Sequence, residues 1–529
     1  MKSLNKIYIV AILAFMVTSC FKDDGNYTYK DLSLNGEITG IEENYDVLFQ
    51  DNLSITPTIK WDDAEPAAYE WSYYKSGYNA GAAQIISTDK DLNIDVNIPQ
   101  GTYIFRYRVI AKDGRFTEKI SNITISSAFS KGFYVLKELK DNKSDMDLFR
   151  PNGTELRNAY YSTNNEHLNG VPEGLFQQRA FSHISPVTKL KTVASFIVPV
   201  TDQGFRYINL NDNSILYDDL GDMFYDTSLN DEKLVAAVDL NYFSCLFTNK
   251  SQAFSYGQGG RPTSSGFFIK SNFAELNGEN ITFNPSDKVN IASNLVLMWD
   301  DVAKRFLVIM SSASGNIKVS SFDEKDNPEV PLNDLIGWEC KYIASCSSLI
   351  SYGAYSMLSP GLYPIMKHNG KTYVYSIAGA RNTPADLKKL ATRSEVDPSL
   401  KLNNAEFFAS NGLGTKLFYY LVDNQVYSYN IDEKIENLLT FEGLNTGDEI
   451  TGIGTIFRTK ELVDSFDYLY VMTYNASEDK YTVSFYNTEY GEPVGAPVKK
   501  FTGEGRGKAV QYVSGDQNKA SIRNYSVNM

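Results

Sequence analysis

The sequence predicts an all-β protein in two parts, an immunoglobulin-like sandwich over residues 28–127 and a β-propeller of seven blades over residues 131–529. Three observations carry this reading. Between residues 25 and 127 apolar positions recur with period two, the spacing of strands with one buried face. From Lys131 onward a longer unit recurs, at roughly 50 to 60 residues per copy: an apolar strand, a polar turn and a second strand ending near an aromatic residue. Seven such hairpin copies suit a propeller; a β-solenoid, the other candidate, calls for a fixed short period that these turns lack.

Residues 1–19 read as an export signal. Lys2 and Lys6 precede or enter an apolar run, Ile7 to Val17, that falls well short of the ~20 residues needed to span a bilayer. Val17-Thr18-Ser19-Cys20 resembles the lipobox of bacterial lipoproteins, in which the cysteine is acylated and becomes the first residue of the mature chain. Two or three acyl chains, at ~0.8 kcal/mol per buried methylene, anchor such a chain stably where one is marginal. Residues 20–27 form a tether, and its Phe21-Lys22-Asp23-Asp24 resembles the lysine-plus-acid signal that sends lipoproteins of Bacteroidetes to the outer face of the outer membrane. A merely solvated tether is the alternative.

In the sandwich, Tyr69, Trp71 and Tyr73 share one strand face, as where a tryptophan packs at the centre. Gly101-Thr102-Tyr103 opens the next strand in the manner of a tyrosine corner, and Asp113-Gly114 supplies the hairpin turn into Phe116. The seven later hairpins begin at Phe133, Ala194, Phe243, Arg305, Leu362, Lys416 and Tyr468. Three stretches, Arg157 to Leu190, Ser251 to Gly266 and Ala344 to Pro364, read as long loops rich in Gly, Ser, Asn and Tyr. A fourth insertion, Thr383 to Arg393, reads as a helix with Thr383 as its N-cap, Pro384 at its first position, and Leu387, Leu390 and Ala391 on one face.

Composition bounds the function. The chain carries 70 aromatic residues (36 Tyr, 30 Phe, 4 Trp), ample for a large core. Its net charge of −14 argues against nucleic acid, whose binding needs a basic patch. Cys245 reads as a buried strand residue, and Cys340 and Cys346, ~20 Å apart along one strand, are beyond disulfide reach unless a turn intervenes. There are three histidines, His167 and His183 in the first long loop and His368 beside the Asn369-Gly370 turn, and all three read best as surface residues. No zinc, EF-hand or nucleophile-elbow motif occurs, so no metal, cofactor or catalytic residue is assigned. Gly503 to Ala509 is only faintly like a phosphate loop and reads as a flexible connection. Asp300 and Asp301 read as capping the turn after Trp299. Tyr256, Arg261, Tyr352, Tyr355 and Tyr363 are the candidate ligand-binding residues, because tyrosine offers an apolar plane and a hydroxyl to sugar rings and peptide backbones alike.

Taken together, Cys20, the stretch Asp24-Gly25-Asn26-Tyr27-Thr28-Tyr29-Lys30-Asp31, the Tyr69-Glu70-Trp71 strand, Ile86 to Leu92, Gly101-Thr102-Tyr103 and Lys131 to Leu136 resemble the PKD-like family lipoproteins of Bacteroidetes. That resemblance implies a PKD-like N-terminal sandwich and a role accessory to SusC/SusD-type uptake pairs, capturing glycan or peptide nutrients at the outer membrane without catalysis. A hydrolase or lyase on a propeller scaffold and a purely structural transporter subunit are the other classes.

Overall fold

In the computed structural model of the protein, residues 36–513 are described, apart from 50, 62–64, 76–81, 185–188, 225–231, 240–242, 251, 257–268, 272, 277–278, 293–294, 312–316, 353–354, 379–382, 412–414 and 459–465. The export signal, Cys20, the tether and the start of the family motif lie outside the described residues. Among those described, the chain is mostly strand with few helical turns, and no helix is long and apolar enough to cross a membrane. It divides into two compact units, Met1–Ser126 and Ser127–Met529.

The first unit is a sandwich. Five strands, Asn44–Leu48, Phe116–Ser126, Gly101–Ala111, Pro66–Tyr74 and Gln84–Ser87, pair in that order. The two-stranded pairs Gly36–Thr39 with Thr58–Trp61 and Asn52–Ile55 with Leu92–Asp95 contribute to the same core. Trp71 lies fully buried at its centre, 4.3 Å from the Tyr107 ring, and its indole Nε1 donates to the Asp89 carbonyl at 3.1 Å. The tyrosine corner is present: the Tyr103 hydroxyl donates to the Pro99 carbonyl at 2.8 Å. Gly114, at φ 85°, closes the hairpin expected at Asp113-Gly114.

Among the described residues the second unit contains seven sheets, antiparallel except where Phe273–Leu276 runs parallel to Ile317–Ser321. The first joins Gly132–Leu139, Lys143–Phe149 and Glu155–Leu156 to Arg506–Val513, which comes from the far end of the chain. The second runs Pro172–Ile184, Lys191–Thr201, Tyr207–Asn209, Ile215–Tyr217, and the third Leu234–Asp239, Phe243–Thr248, Gln252–Tyr256, Ile269–Ser271. Pro285–Ala292, Leu295–Asp300, Arg305–Ser311 and Ile317–Ser321 make the fourth, extended at its last strand by the hairpin Phe273–Leu276 and Glu279–Thr282. The fifth is Glu339–Tyr352, Tyr355–His368, Lys371–Ala378, Thr392–Glu395; the sixth Phe407–Ser410, Leu417–Val422, Gln425–Asn430, Ile435–Leu438; the seventh Glu449–Arg458, Phe466–Asn475, Lys480–Glu489, Glu492–Glu504.

Each sheet shares an apolar core with the next. Leu148 packs in one cluster with Ile197, Tyr207 with Leu246, Phe247 with Met298, Phe306 with Tyr375, Tyr363 with Phe418, and Tyr419 with Val471. A seventh cluster joins Phe485 of the last sheet to Phe133 and Tyr512 of the first. Middle strands are therefore buried on both faces, which is why Leu295 to Trp299 is an unbroken apolar run with no alternation. Strands far from that packing are exposed, as Ile435–Leu438 is.

Several expectations are corrected. Ala344 to Pro364 is no loop but most of a hairpin of two strands, Glu339–Tyr352 and Tyr355–His368, paired residue by residue to the Tyr352–Tyr355 tip. Much of Arg157 to Leu190 is the strand Pro172–Ile184, which makes His183 a buried residue where a surface one was expected. Ser251 to Gly266 begins with a strand through Tyr256, and its remainder lies outside the described residues. Gly503 to Ala509 is a tight turn between two strands: Gly505 sits at φ 85°, and a Cβ there would collide with the Glu138 carbonyl. The helix Pro384–Leu390 carries the expected Thr383 cap, reciprocated by Asp386; Leu387 and Ala391 are buried, but Leu390 points to solvent. Cys245, Cys340 and Cys346 are buried, and Cys340 and Cys346 are not bridged to each other. The Asp300 carboxylate accepts from the Val302 and Ala303 amides, the expected cap after Trp299.

Candidate binding site

In the second unit the first strands of the sheets neighbour one another in succession. Arg506–Val513 touches Pro172–Ile184, which touches Leu234–Asp239, and the series continues through Pro285–Ala292, Glu339–Tyr352, Phe407–Ser410 and Glu449–Arg458 back to Arg506–Val513. All seven contribute to the wall of one cavity of about 570 Å³. The volume is in the range of small-molecule and glycan-sized pockets. Most of its lining comes from the beginnings of these strands: Glu173, Asp287, Lys341 and Phe407 each lie within the first three residues of theirs.

Aromatic rings form one side. Phe407 is a solvent-exposed ring at 39 % exposure, beside Phe408, which stacks parallel on Tyr342 at 5.5 Å between centroids. Tyr342 is fixed from behind by a hydrogen bond between its hydroxyl and Ser410 Oγ at 3.0 Å, and Ser410 Oγ accepts from the Ser345 amide at 2.9 Å and from Asn290 Nδ2 at 3.2 Å. Burial pushes the Tyr342 hydroxyl up to about 12, so it stays neutral at physiological pH. Gly454 leaves room for the Tyr470 ring, whose hydroxyl would lie 2.6 Å from a Cβ at that position.

Charged residues line the opening. Lys233 Nζ donates to the Asp202 carbonyl at 3.3 Å, Lys341 pairs with Glu339 at 2.9 Å, and Lys288 pairs with Asp287. Lys508, Glu173 and Glu406 complete the set, all exposed. An exposed ring and a stacked pair in one lining, with mixed charges and hydroxyls around them, can hold a ligand that has both flat apolar faces and polar edges. Among the described residues, none that lines this cavity is a histidine or cysteine. Burial pushes the Asp467 carboxyl up to about 6, but Asp467 is not among the lining residues, so the perturbed acid and the cavity fall in different places.

The residues expected from the sequence are placed otherwise. Tyr256 ends a strand of the third sheet, and Arg261 lies outside the described residues. Tyr352 and Tyr355 pair at the tip of the fifth sheet's hairpin, ten residues beyond Tyr342 and so ~33 Å along the strand from the cavity wall. Tyr363 is in the core between the fifth and sixth sheets, with its hydroxyl pushed far up by burial, and is removed from the candidate ligand contacts. His167 Nδ1 bonds Asp145 at 2.7 Å, and His368 stacks on Trp338 at 4.4 Å, so both are engaged in holding local structure. Phe407 and Phe408 were legible only as an aromatic pair following Glu406, at the start of a strand too short to show periodicity.

Residues 20–172 match the PKD-like family, so the chain carries a PKD-like domain. No curated protein matches the chain. Among solved structures, the Bacteroides ovatus mixed-linkage glucan utilization locus SGBP-B, in complex with a mixed-linkage heptasaccharide, aligns over 67 % of this chain and 94 % of its own. Sequence identity is 10 % and the TM-score 0.16, a superposition too loose to bear on fold or function.

Proposed function

We propose that the chain is a non-catalytic lipoprotein of the outer-membrane surface. Its seven sheets are read as the blades of a β-propeller, and its axial cavity as the binding site for a glycan or peptide nutrient, in a role accessory to a SusC/SusD-type uptake complex. The cavity to which every sheet contributes a strand is the observation that carries this. The propeller reading is supported by the sequence of shared cores returning from the seventh sheet to the first, and by the C-terminal strand Arg506–Val513 completing the sheet begun at Gly132. Ligand binding there is supported by the lining itself: aromatic rings beside charged side chains, with Lys233, Lys288 and Lys341 held by a carbonyl or an acid. Anchoring is supported by the Val17-Thr18-Ser19-Cys20 signal.

Cell fractionation tests the anchored part. The unaltered protein is expected in the membrane fraction with a lipid-increased mass and to be removed by protease added to intact cells. Cys20→Ala is expected to be released or left unprocessed; membrane retention of that variant at unchanged mass contradicts lipidation.

A further inference from the structure

A second cavity, of about 540 Å³, opens between the first and seventh sheets and shares no lining residue with the axial one. The geometry points to a second ligand site there, for a neutral, polyhydroxylated sugar. Apart from Gly503, every lining residue has a polar or charged side chain. A hollow of that character is filled by water or by a polar ligand; it is not a packing defect, because defects in protein interiors are apolar.

Its floor is built. Asp147, fully buried, accepts from Lys137 Nζ at 2.8 Å, Arg157 Nη1 at 3.2 Å, the Tyr481 hydroxyl at 2.6 Å and the Asn158 amide at 2.9 Å. Burial pushes the Tyr481 hydroxyl far up, which keeps its proton available for that bond. Gly503 is required beneath it, since a Cβ would strike both the Asp147 carboxylate and the Tyr481 ring. Arg157 lies with its guanidinium 4.7 Å over the Phe149 ring and stays partly exposed. On the opposite wall Asp448 is held by Asn475 Nδ2 at 2.9 Å and Asn445 Nδ2 at 3.2 Å. One acceptor is left over: the Asn158 side-chain oxygen is buried and has no hydrogen-bond partner.

Charge decides the ligand class. The lining carries Lys137, Arg157 and Lys480 against Asp448, Glu478 and Glu504, and Lys137 is already neutralised from below by Asp147 while Lys480 pairs with Glu478 at 3.2 Å. A balanced wall selects no ion. It also contains no aromatic or aliphatic side chain to receive those of a peptide. What remains is a dense set of fixed donors and acceptors suited to sugar hydroxyls. With the axial site, this gives one chain two contacts for a polymer, and linked contacts raise apparent affinity without any new interaction.

The test is an array of neutral and uronic-acid oligosaccharides, probed with the full chain carrying Phe407→Ala to weaken the axial site. That variant is expected to retain a neutral oligosaccharide; adding Thr502→Trp, which fills the hollow from an exposed strand position, is expected to weaken binding at least tenfold with the unfolding transition unchanged. Asn158→Asp, which tolerates the positive φ at that residue and adds an uncompensated acid to the balanced wall, is the second variant should Thr502→Trp not fold, with the same tenfold loss expected. The inference is overturned if the Phe407→Ala chain binds only uronic-acid oligosaccharides or none, or if the second substitution leaves its binding intact. Loss of all binding with Phe407→Ala alone, while the unaltered chain still binds, rejects this site and leaves the axial one standing.

Discussion

Trp71→Ala is expected to unfold the N-terminal sandwich, at a cost of about 3 to 5 kcal/mol. The indole is fully buried, stacks on Phe105 at 5.4 Å and packs on Tyr107 at 4.3 Å, and carries the bond to the Asp89 carbonyl. Removing it leaves a cavity among rings held on paired strands, which do not collapse to fill it. Ser127–Met529 has separate cores, so calorimetry of the full chain should show the sandwich transition lost or lowered and the second unit's kept. One transition abolished for the whole chain would contradict two independently cored units.

Asp147→Ala is expected to destabilise the second unit by a comparable amount, about 3 to 5 kcal/mol, because it strands the Lys137 ammonium, only 2 % exposed, without its partner. It also removes the acceptor for the Tyr481 hydroxyl, which ties the first sheet to the seventh. The double variant Lys137→Met with Asp147→Leu should recover part of the loss, since it removes the orphaned ammonium while the Tyr481 hydroxyl, Arg157 and the Asn158 amide still lack their acceptor. Denaturant melts check both: a double variant no more stable than Asp147→Ala alone would show that the orphaned Lys137 charge does not set the effect.

How much the sequence disclosed depends on where each strand lies. The hairpins named from Phe133, Ala194, Phe243, Leu362, Lys416 and Tyr468 correspond to second and third strands of their sheets, and the one from Arg305 to a third and fourth. Such strands are covered on both faces and so appear as continuous apolar runs. Most of the first strands border the cavity with lysines and acids such as Lys341 and Glu173 and show no long apolar run; Leu234–Asp239, with five apolar residues in succession, is the exception. The Ala344 to Pro364 stretch misled for a related reason. Its Ser, Gly and Tyr content is that of a loop, yet backbone pairing from Glu339 to Tyr352 holds it as strand whatever the side chains. Tyr363 then falls on the inward side, in a core, where its ring is filler and its hydroxyl is shielded. The candidate site was illegible because it is assembled from seven segments far apart in sequence, and only their order in space brings Phe407 beside Tyr342 and Lys508.

The most direct test of the axial site is affinity for whichever glycan or peptide a screen of the mature protein identifies, measured for the unaltered chain, Phe407→Ala and the pair Tyr352→Ala with Tyr355→Ala. An exposed ring at the centre of a contact costs more than ~1 kcal/mol on truncation, roughly fivefold in affinity. Phe407→Ala is therefore expected to weaken binding at least that much with its unfolding midpoint unchanged, and the tyrosine pair to bind as the unaltered chain does. Full affinity in Phe407→Ala together with loss in the tyrosine pair would move the site to the hairpin-tip end of the sheets and contradict the account.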